Sequence, residues 1–309
     1  MLILHTVYEL NQLNYKHMKK FKFFPIVLGM LIVAFMASCT KDGVYNPKKK
    51  INMVYKASSE DYNGTHYEAQ RYLAEKWTWD NKTLSSIQYF NDGSYTENFT
   101  YDGNRLTRID VYENSEYITF DYDGKYLKTA NINHGGKPEG SVSFVYNNKK
   151  LSELRVTYYD TKSNHESRLF ASVLPFTSEV NEMLVEFTEK AVATKGVEFV
   201  TYKCTWTGDN ISQVMASWDD GDVLNINISY DDKINPLKGF LGYGMEGDVV
   251  TSFYSKNNPT QVMRTWVGEN PYIYTYNYQY DGDNYPTMVM RSRREEDYSY
   301  SYSTYYEYQ

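Results

Sequence analysis

The sequence predicts a mainly β protein: a large antiparallel β-meander of repeated hairpins that curls into a barrel, half-barrel or cocoon. Three observations support this. An aromatic residue followed by a short Asp, Asn or Gly turn recurs at spacings of about 21 to 26 residues. Apolar and polar residues alternate with period two around these turns. A single segment, at about residues 178–193, has the periodicity of an inserted α-helix. A two-sheet sandwich is the alternative arrangement.

The N-terminal residues have the features of a targeting segment. A basic stretch at 18–22 precedes the apolar run FFPIVLGMLIVAFMAS at 23–38, which is too short to span a bilayer as a helix. We interpret residues 1–38 as a signal peptide whose true start is Met18. An N-terminal membrane anchor followed by a chance cysteine is the alternative.

The end of this run resembles the lipobox of bacterial lipoproteins. Small residues, Ala37 and Ser38, precede Cys39, although Met36 replaces the usual leucine. The resemblance implies that Cys39 is lipidated and attaches the chain to a membrane. Thr40 after the cysteine favours the outer membrane by the same resemblance, with a periplasmic or surface-facing orientation left open.

The remaining chain divides into two parts. Residues 39–56 are polar and contain Gly43, Pro47 and a run of three lysines, which predicts a lipidated cysteine followed by a flexible tether. Residues 57–309 form a single repeat-built β domain.

The hairpin unit is defined by the aromatic residue that precedes each turn. Two residues before it stands another residue of the same strand face, and five residues after it stands Leu or Ile in the first five units. The parity of this later residue predicts a packing position beneath the turn or a β-bulge. The aromatic positions are Trp79, Tyr101, Tyr122, Tyr146, Trp206, Tyr230, Tyr254 and Tyr280.

The predicted helix lies in the long gap between the fourth and fifth units. Val180, Leu184 and Phe187 share one face, and Ser178 has the side chain of an N-cap. We expect this helix to lie in or across the concave side of the curled sheet, where it covers apolar surface.

The Tyr-Asp-Gly turn followed by Leu and then Ile or Val resembles the YD repeat of RHS and teneurin proteins. The lipobox, the stretch YDDKINPLKGF at 230–240 and the tyrosine-rich C-terminus resemble uncharacterised lipoproteins of gut Bacteroidota. This second resemblance implies a β-rich, envelope-anchored domain without an assigned biochemical role.

Charge and cysteine content exclude several classes. The full chain carries a formal charge of −7, and removal of residues 1–38 leaves about −10, which repels phosphate backbones and argues against nucleic-acid binding. Cys39 and Cys204 are the cysteines of the sequence, and lipidation of the first leaves no intramolecular disulfide. No cofactor motif is present, so we expect no cofactor.

No catalytic or metal-binding motif stands out. His66, His134 and His165 lack metal-ligand spacing, and the Asp clusters at 219–222, 231–232 and 281–283 are typical of hairpin turns rather than calcium loops. Cys204 occupies an inward strand position, which favours an inert buried thiol. The chain is therefore predicted to be non-enzymatic, and a hydrolase is the least favoured class.

Tyrosine, with 33 residues, is the strongest compositional feature. In two segments tyrosines alternate along one strand face, which predicts either core packing or a platform for a glycan, a peptide or a partner protein. We weigh packing above binding for these ladders, and a purely structural or assembly role is the alternative function. The candidate ligand-binding residues are Tyr272, Tyr274, Tyr276, Tyr298, Tyr300 and Tyr302.

Overall fold

The computed structural model describes residues 41–62, 65–90, 94–112, 115–159, 170–171, 173–195, 199–217, 223–242, 254–266, 268–294 and 298–309. The predicted signal peptide, residues 1–38, and the predicted lipidation site Cys39 lie outside these ranges.

Within the described residues, seventeen antiparallel strands form one sheet, and sixteen of them close into a barrel. From β3 to β17 each strand pairs with the next, and β1 pairs with β3. The last strand, β17, pairs with the other edge of β1, from Tyr308 opposite Ile51 to Tyr298 opposite Tyr62. The short β2 pairs with β1 and lies outside the closed ring. The strands are β1 (Ile51–Tyr62), β2 (Thr65–Glu68), β3 (Tyr72–Asp80), β4 (Thr83–Tyr89), β5 (Tyr95–Asp102), β6 (Arg105–Tyr112), β7 (Glu116–Asp123), β8 (Tyr126–His134), β9 (Lys137–Asn147), β10 (Lys150–Tyr158), β11 (Phe199–Thr207), β12 (Asn210–Ser217), β13 (Val223–Tyr230), β14 (Pro259–Trp266), β15 (Tyr272–Tyr280), β16 (Pro286–Arg294) and β17 (Tyr298–Tyr308). The predicted meander is thus confirmed, with complete closure in place of the alternative sandwich.

Each of the first five hairpin units contains a β-bulge beside its turn. In the β5–β6 hairpin the register shifts between Thr100 and Tyr101, so Tyr101 pairs with Leu106. The bulge reconciles the opposite parities of the residues on the two sides of the turn. Corresponding shifts occur in the β3–β4, β7–β8, β9–β10 and β11–β12 hairpins.

The aromatic residues before the turns link neighbouring hairpins. The Tyr122 hydroxyl donates to the Leu106 carbonyl at 2.6 Å, and Trp206 Nε1 donates to the Leu151 carbonyl at 2.6 Å. These bonds run from one hairpin to the carbonyl of the Leu in the preceding hairpin, which explains why the repeat keeps a polar aromatic residue at that position.

Tyr254 departs from the repeat. It lies between Tyr230, where β13 ends, and Pro259, where β14 begins, and residues 243–253 of this interval lie outside the described residues. β13 and β14 pair directly, with Tyr230 opposite Pro259, so no described strand lies between the units predicted at Tyr230 and Tyr254. Pro236 in this interval lacks the N–H that a continued strand would need.

The inner surface of the barrel is apolar and the outer surface is polar. In β5 the side chains of Glu97 and Phe99 are buried inside, whereas those of Thr96, Asn98 and Thr100 are exposed outside. The same alternation recurs around the barrel, and its inward residues join one continuous hydrophobic core. The interior is thus filled largely by side chains.

Helix α1 (Ser178–Lys195) lies in the connection between β10 and β11 and packs into the barrel interior. Val180, Leu184 and Phe187 are fully buried, as the predicted apolar face requires. The N-cap is Thr177, whose Oγ1 accepts from the Val180 N–H at 3.3 Å, one residue before the predicted Ser178. We call the end of the barrel from which α1 enters the helix end. In the described part of the chain, no helix is long and apolar enough to cross a bilayer.

The opposite end, which carries the short turns of the β3–β4, β5–β6, β7–β8, β9–β10 and β11–β12 hairpins, is the tight-turn end. Residues 41–50 cover it, because the Leu106 N–H donates to the Gly43 carbonyl at 2.8 Å and the Asp42 N–H donates to the Lys125 carbonyl at 2.9 Å. Tyr45 is buried against Trp77 and Phe240. The sequence assigns this segment to a flexible tether through residue 56, whereas residues 41–50 are hydrogen-bonded to the barrel and β1 begins at Ile51.

Candidate functional site: a tyrosine–arginine wall

Three adjacent strands bring the two predicted tyrosine ladders together on the inner surface. β16 lies between β15 and β17, so its inward side chains stand between the ladders. In the register, Arg291 is opposite Tyr276 on one side and Tyr302 on the other, and Arg293 is opposite Tyr274 and Tyr300. Two tyrosine columns therefore flank an arginine column.

We define the tyrosine–arginine wall as the helix-end part of this surface, together with Arg264 of the neighbouring strand β14. Its members are Arg264, Tyr272, Tyr274, Tyr276, Arg291, Arg293, Tyr300 and Tyr302.

The arginines contact the tyrosine rings face to face. The Arg293 guanidinium lies 3.7 Å from the Tyr272 ring centroid, and the Arg264 guanidinium lies 4.8 Å from the same ring. Arg291 lies 4.8 Å from the Tyr302 centroid, and Tyr300 meets Tyr302 edge to face at 4.2 Å. These cation–π and ring contacts hold the side chains of the wall together as one continuous surface.

Helix α1 supplies the carboxylates that face the wall. Glu179 is buried, accepts from the Tyr276 hydroxyl at 2.8 Å and forms an ion pair with Arg291. Higher on the helix, Glu186 lies 3.7 Å from Arg264 and is largely exposed. The helix thus begins deep in the barrel beside Tyr276 and rises along the wall toward the helix end. The charges of the wall are largely balanced by these carboxylates.

Accessibility of the tyrosines changes with depth. Tyr276 and Tyr306 are 3% and 8% exposed and belong to the core, which matches the packing interpretation. Tyr274 and Tyr302, nearer the helix end, remain partly exposed. The ladders are therefore buried at Tyr276 and Tyr306 and partly exposed toward the helix end, and they are partly exposed again at Tyr278 and Tyr308 toward the tight-turn end. The side chain of Tyr298 lies outside the described residues.

Burial also sets the ionisation of the wall. Desolvation, followed by the nearby Glu179 carboxylate, raises the pKa of Tyr274 to about 12, and the same two causes raise the pKa of Tyr276 well above its ordinary value. Both hydroxyls are therefore protonated at neutral pH and act as hydrogen-bond donors.

Among the described residues, the other groups considered in the sequence lie outside the wall. Burial raises the pKa of the Cys204 thiol to about 12, as expected for an inert thiol packed against the core. His134 lies 3.0 Å from Glu116, and the side chains of His66 and His165 lie outside the description. Among the described side chains, no group of three His, Cys, Asp or Glu residues is placed to hold a metal ion.

The acidic turns have structural roles where they are described. Asp281 Oδ1 accepts from the N–H groups of Asp283 and Tyr285, and Lys49 bonds the other carboxylate oxygen at 2.6 Å. Asp231 accepts from Asn258 and from the Tyr280 hydroxyl. The cluster at 219–222 lies outside the described residues.

A second buried charged group lies on β1, β3 and β5, the strands that follow β17 around the barrel. Lys56 Nζ is 3.8 Å from Glu75, which accepts from Trp77 Nε1 at 2.9 Å, and the Tyr89 hydroxyl donates to Glu97 at 3.1 Å. Lys56, Glu75 and Glu97 are almost fully buried, so this group has no access to a ligand in solution.

Sequence reasoning identified the tyrosines but missed Arg264, Arg291, Arg293 and Glu179. A signal for two of them was present, because Arg291 and Arg293 alternate in the segment MVMRSRR between the two ladders. This spacing places both arginines on the same strand face as Val289. A strand that only packs in the core would carry apolar residues at these positions. The role of Glu179 depends on the placement of α1 inside the barrel, which the sequence does not specify.

The fold and the wall together define a closed, filled antiparallel barrel with one charged aromatic surface at its helix end. No family model matches the chain, and no curated protein matches it. Among solved structures, it is similar to a porin-like protein from Bacteroides uniformis, with a TM-score of 0.48, 11% identity and coverage of 87% of this chain and 100% of that one. A porin-like protein from Bacteroides vulgatus has the same TM-score and identity, with coverage of 85% and 99%.

Proposed function

We propose that this chain is a non-enzymatic, envelope-anchored lipoprotein that binds a carbohydrate at the tyrosine–arginine wall. Cys39 is the attachment site for the lipid, and the barrel extends into the aqueous phase. The observation that carries the binding proposal is the convergence of two tyrosine columns and three arginines on one partly accessible part of an otherwise filled interior.

The distribution of polarity supports an aqueous barrel. A barrel that spans a membrane presents an apolar band to lipid and a polar lumen. Here the outward positions of β5 are Thr96, Asn98, Thr100 and Asp102, and those of β7 include Thr119, Asp121 and Asp123. The inward positions are mostly apolar, apart from the wall and the buried group around Lys56. An outer surface of this kind is suited to water, so attachment to a membrane would come from the lipid on Cys39.

The chemistry of the wall supports a carbohydrate over a charged ligand. Tyrosine rings offer flat apolar faces for stacking on sugar rings, and their hydroxyls and the arginine guanidinium groups offer directional hydrogen bonds. Glu179 and Glu186 balance Arg291 and Arg264, so no large excess of positive charge attracts an anion. A neutral or weakly charged saccharide fits these properties.

The binding proposal is tested on a glycan array with the full chain purified in mild detergent. We expect the parent chain to bind at least one class of immobilised saccharide, and we expect this binding to be lost in the variants Tyr302→Ala and Arg293→Gln. Tyr305→Ala is the matched control, because Tyr305 lies on the same strand but on the outer face, against Arg71. Thermal midpoints of all variants establish that the fold is retained. Equal retention by Tyr302→Ala and Tyr305→Ala would overturn the wall as the binding site.

The anchoring proposal is tested separately in cells. The parent chain should fractionate with membranes and carry a lipid mass on Cys39, whereas Cys39→Ala should be unprocessed or released. An unmodified, soluble parent chain would contradict the lipobox interpretation without affecting the carbohydrate test.

A structural or assembly role is the second candidate, and burial of the lower tyrosines favours it. Tyr276 and Tyr306 contribute to packing of the barrel rather than to a surface. This role predicts that the array retains nothing and that wall substitutions change only stability.

A further inference from the structure

We infer that the tight-turn end of the barrel faces the membrane and contacts lipid headgroups, while the tyrosine–arginine wall opens away from it. This inference rests on the proposed lipidation of Cys39 and adds a fixed orientation to it. The occupant of the surface is a phosphate-bearing lipid headgroup layer.

The first argument is the attachment of the chain directly after the lipidation position. Asp42 Oδ2 accepts from the Leu127 N–H at 2.9 Å and from the Tyr146 hydroxyl at 2.7 Å, so this residue is fixed to the tight-turn end. Cys39 precedes Asp42 by three residues, and three extended residues span only about 10 Å. A lipid on Cys39 therefore tethers this end of the barrel by a very short connection.

The second argument is the packing that keeps the segment in place. Gly43 adopts a φ of 76°, and a Cβ at this position would collide with the Tyr122 hydroxyl. Tyr45 is 5% exposed, and its hydroxyl donates to the Pro236 carbonyl at 2.9 Å. Because the segment is enclosed by the hairpins of the tight-turn end, it does not act as a freely jointed linker that would let the barrel rotate.

The charge of the exposed surface at this end is mixed. Exposed lysines of the turns and of the N-terminal segment are accompanied by exposed aspartates, and Lys256 lies 3.8 Å from Asp209. Lys49 is likewise paired with Asp281 at 2.6 Å. This end therefore carries little net charge, and its orientation rests on the short connection to Cys39. The exposed lysines include Lys48, Lys82, Lys149, Lys150, Lys238 and Lys256, and the exposed aspartates include Asp80, Asp102, Asp123, Asp209, Asp232 and Asp283.

The consequence concerns the wall. α1 and the wall lie at the opposite end of the strands, so with the tight turns at the membrane they face the aqueous phase. A carbohydrate in that phase would reach the wall without passing between the barrel and the bilayer.

The test compares the two ends of one strand by energy transfer. In the lipidated full chain carrying Cys204→Ser, a donor dye is attached to Asn147→Cys at the tight-turn end or to Lys137→Cys at the helix end of β9. Both positions are exposed. The chain is reconstituted into phosphatidylethanolamine–phosphatidylglycerol vesicles that contain a headgroup-labelled acceptor. Eleven residues of tilted strand separate the two dyes by about 25 Å along the barrel axis, so transfer should be at least about twofold higher from position 147.

The outcomes separate this inference from the anchor itself. Insertion of about ten Gly/Ser residues after Thr40 should reduce the difference in energy transfer between the dyes at positions 147 and 137, because the barrel could then rotate relative to the membrane. A vesicle-bound chain with equal or reversed transfer would overturn the orientation while leaving the anchor intact. A chain that does not associate with vesicles would overturn both.

Discussion

The buried ion pair between α1 and the wall gives the sharpest prediction about stability. The Glu179 side chain is 1% exposed and that of Arg291 is 12% exposed, so neither charge is well hydrated in the folded state. Glu179→Gln keeps the shape of the side chain but removes the charge that balances Arg291. Leaving one member of a buried pair without its partner costs about 3–5 kcal/mol. We expect a value near 3 kcal/mol, because the amide oxygen of Gln still accepts from the Tyr276 hydroxyl.

The assay is urea unfolding, followed by far-UV circular dichroism and compared with thermal melting. A loss of about 3 kcal/mol corresponds to a decrease in Tm of roughly 6–12 °C for a domain of this size. Glu186→Gln is the matched control: it makes the same change on the same helix, but the Glu186 side chain is 67% exposed. A surface ion pair of this kind contributes about 0–1 kcal/mol.

A double substitution distinguishes loss of the charge balance from general damage to the helix. Glu179→Leu combined with Arg291→Met removes both charges and should recover most of the lost stability, since apolar replacements of buried pairs are often neutral or stabilising. If Glu179→Gln and Glu186→Gln unfold within about 0.5 kcal/mol of each other, the placement of Glu179 inside the barrel is wrong.

Three further predictions concern residues 41–50 at the tight-turn end and the thiol of Cys204. Gly43→Ala should destabilise the chain clearly more than Gly103→Ala, since both glycines have positive φ but only at Gly43 does a Cβ meet a neighbour; similar unfolding midpoints for the two variants would contradict the close packing of residues 41–50. Burial is the largest cause of the raised pKa of Asp42, so the native state binds its proton more tightly than the unfolded state, and this stabilisation is complete below pH 3.8 and lost as the pH rises through the raised value. The Tm difference between the parent and Asp42→Asn should therefore favour the parent more at pH 3.5 than at pH 7, and a pH-independent difference would refute the shift. Cys204 is partly exposed, but desolvation raises the pKa of its thiol to about 12, so it should react with a disulfide reagent at pH 8 much more slowly in the native chain than after unfolding; equal native and denatured rates would contradict its packing against the core.

Much of the barrel could be predicted because its determinants are local. The Asp-Gly and Asn-rich turns, the alternation of apolar residues and the bulge implied by the Leu position all lie within about 24 residues of sequence. Closure follows physically from a sheet with one apolar face, but the pairing of β1 with β17 joins the two ends of the chain. The sequence pattern left a two-sheet sandwich open as the alternative.

The parts that could not be predicted depend on contacts between distant residues. Residues 41–50 have the composition of a linker, and their order comes from partners such as Tyr146 and Tyr254, more than 100 residues away. Likewise, the wall requires Glu179 of α1 to meet Arg291 of β16. The local sequence pattern indicates whether a side chain points into or out of the sheet. Which inward side chains contact each other depends on the closed barrel.

The most direct test of the proposed function is hydrogen–deuterium exchange of the full chain with and without the saccharide that the array retains best. We predict slower exchange confined to the helix-end residues of β15, β16 and β17 and to the N-terminal turn of α1, with the tight turns unchanged. Protection of the tight-turn end or of strands distant from the wall, without change in β15, β16 and β17, would contradict the assignment of the tyrosine–arginine wall as the ligand site.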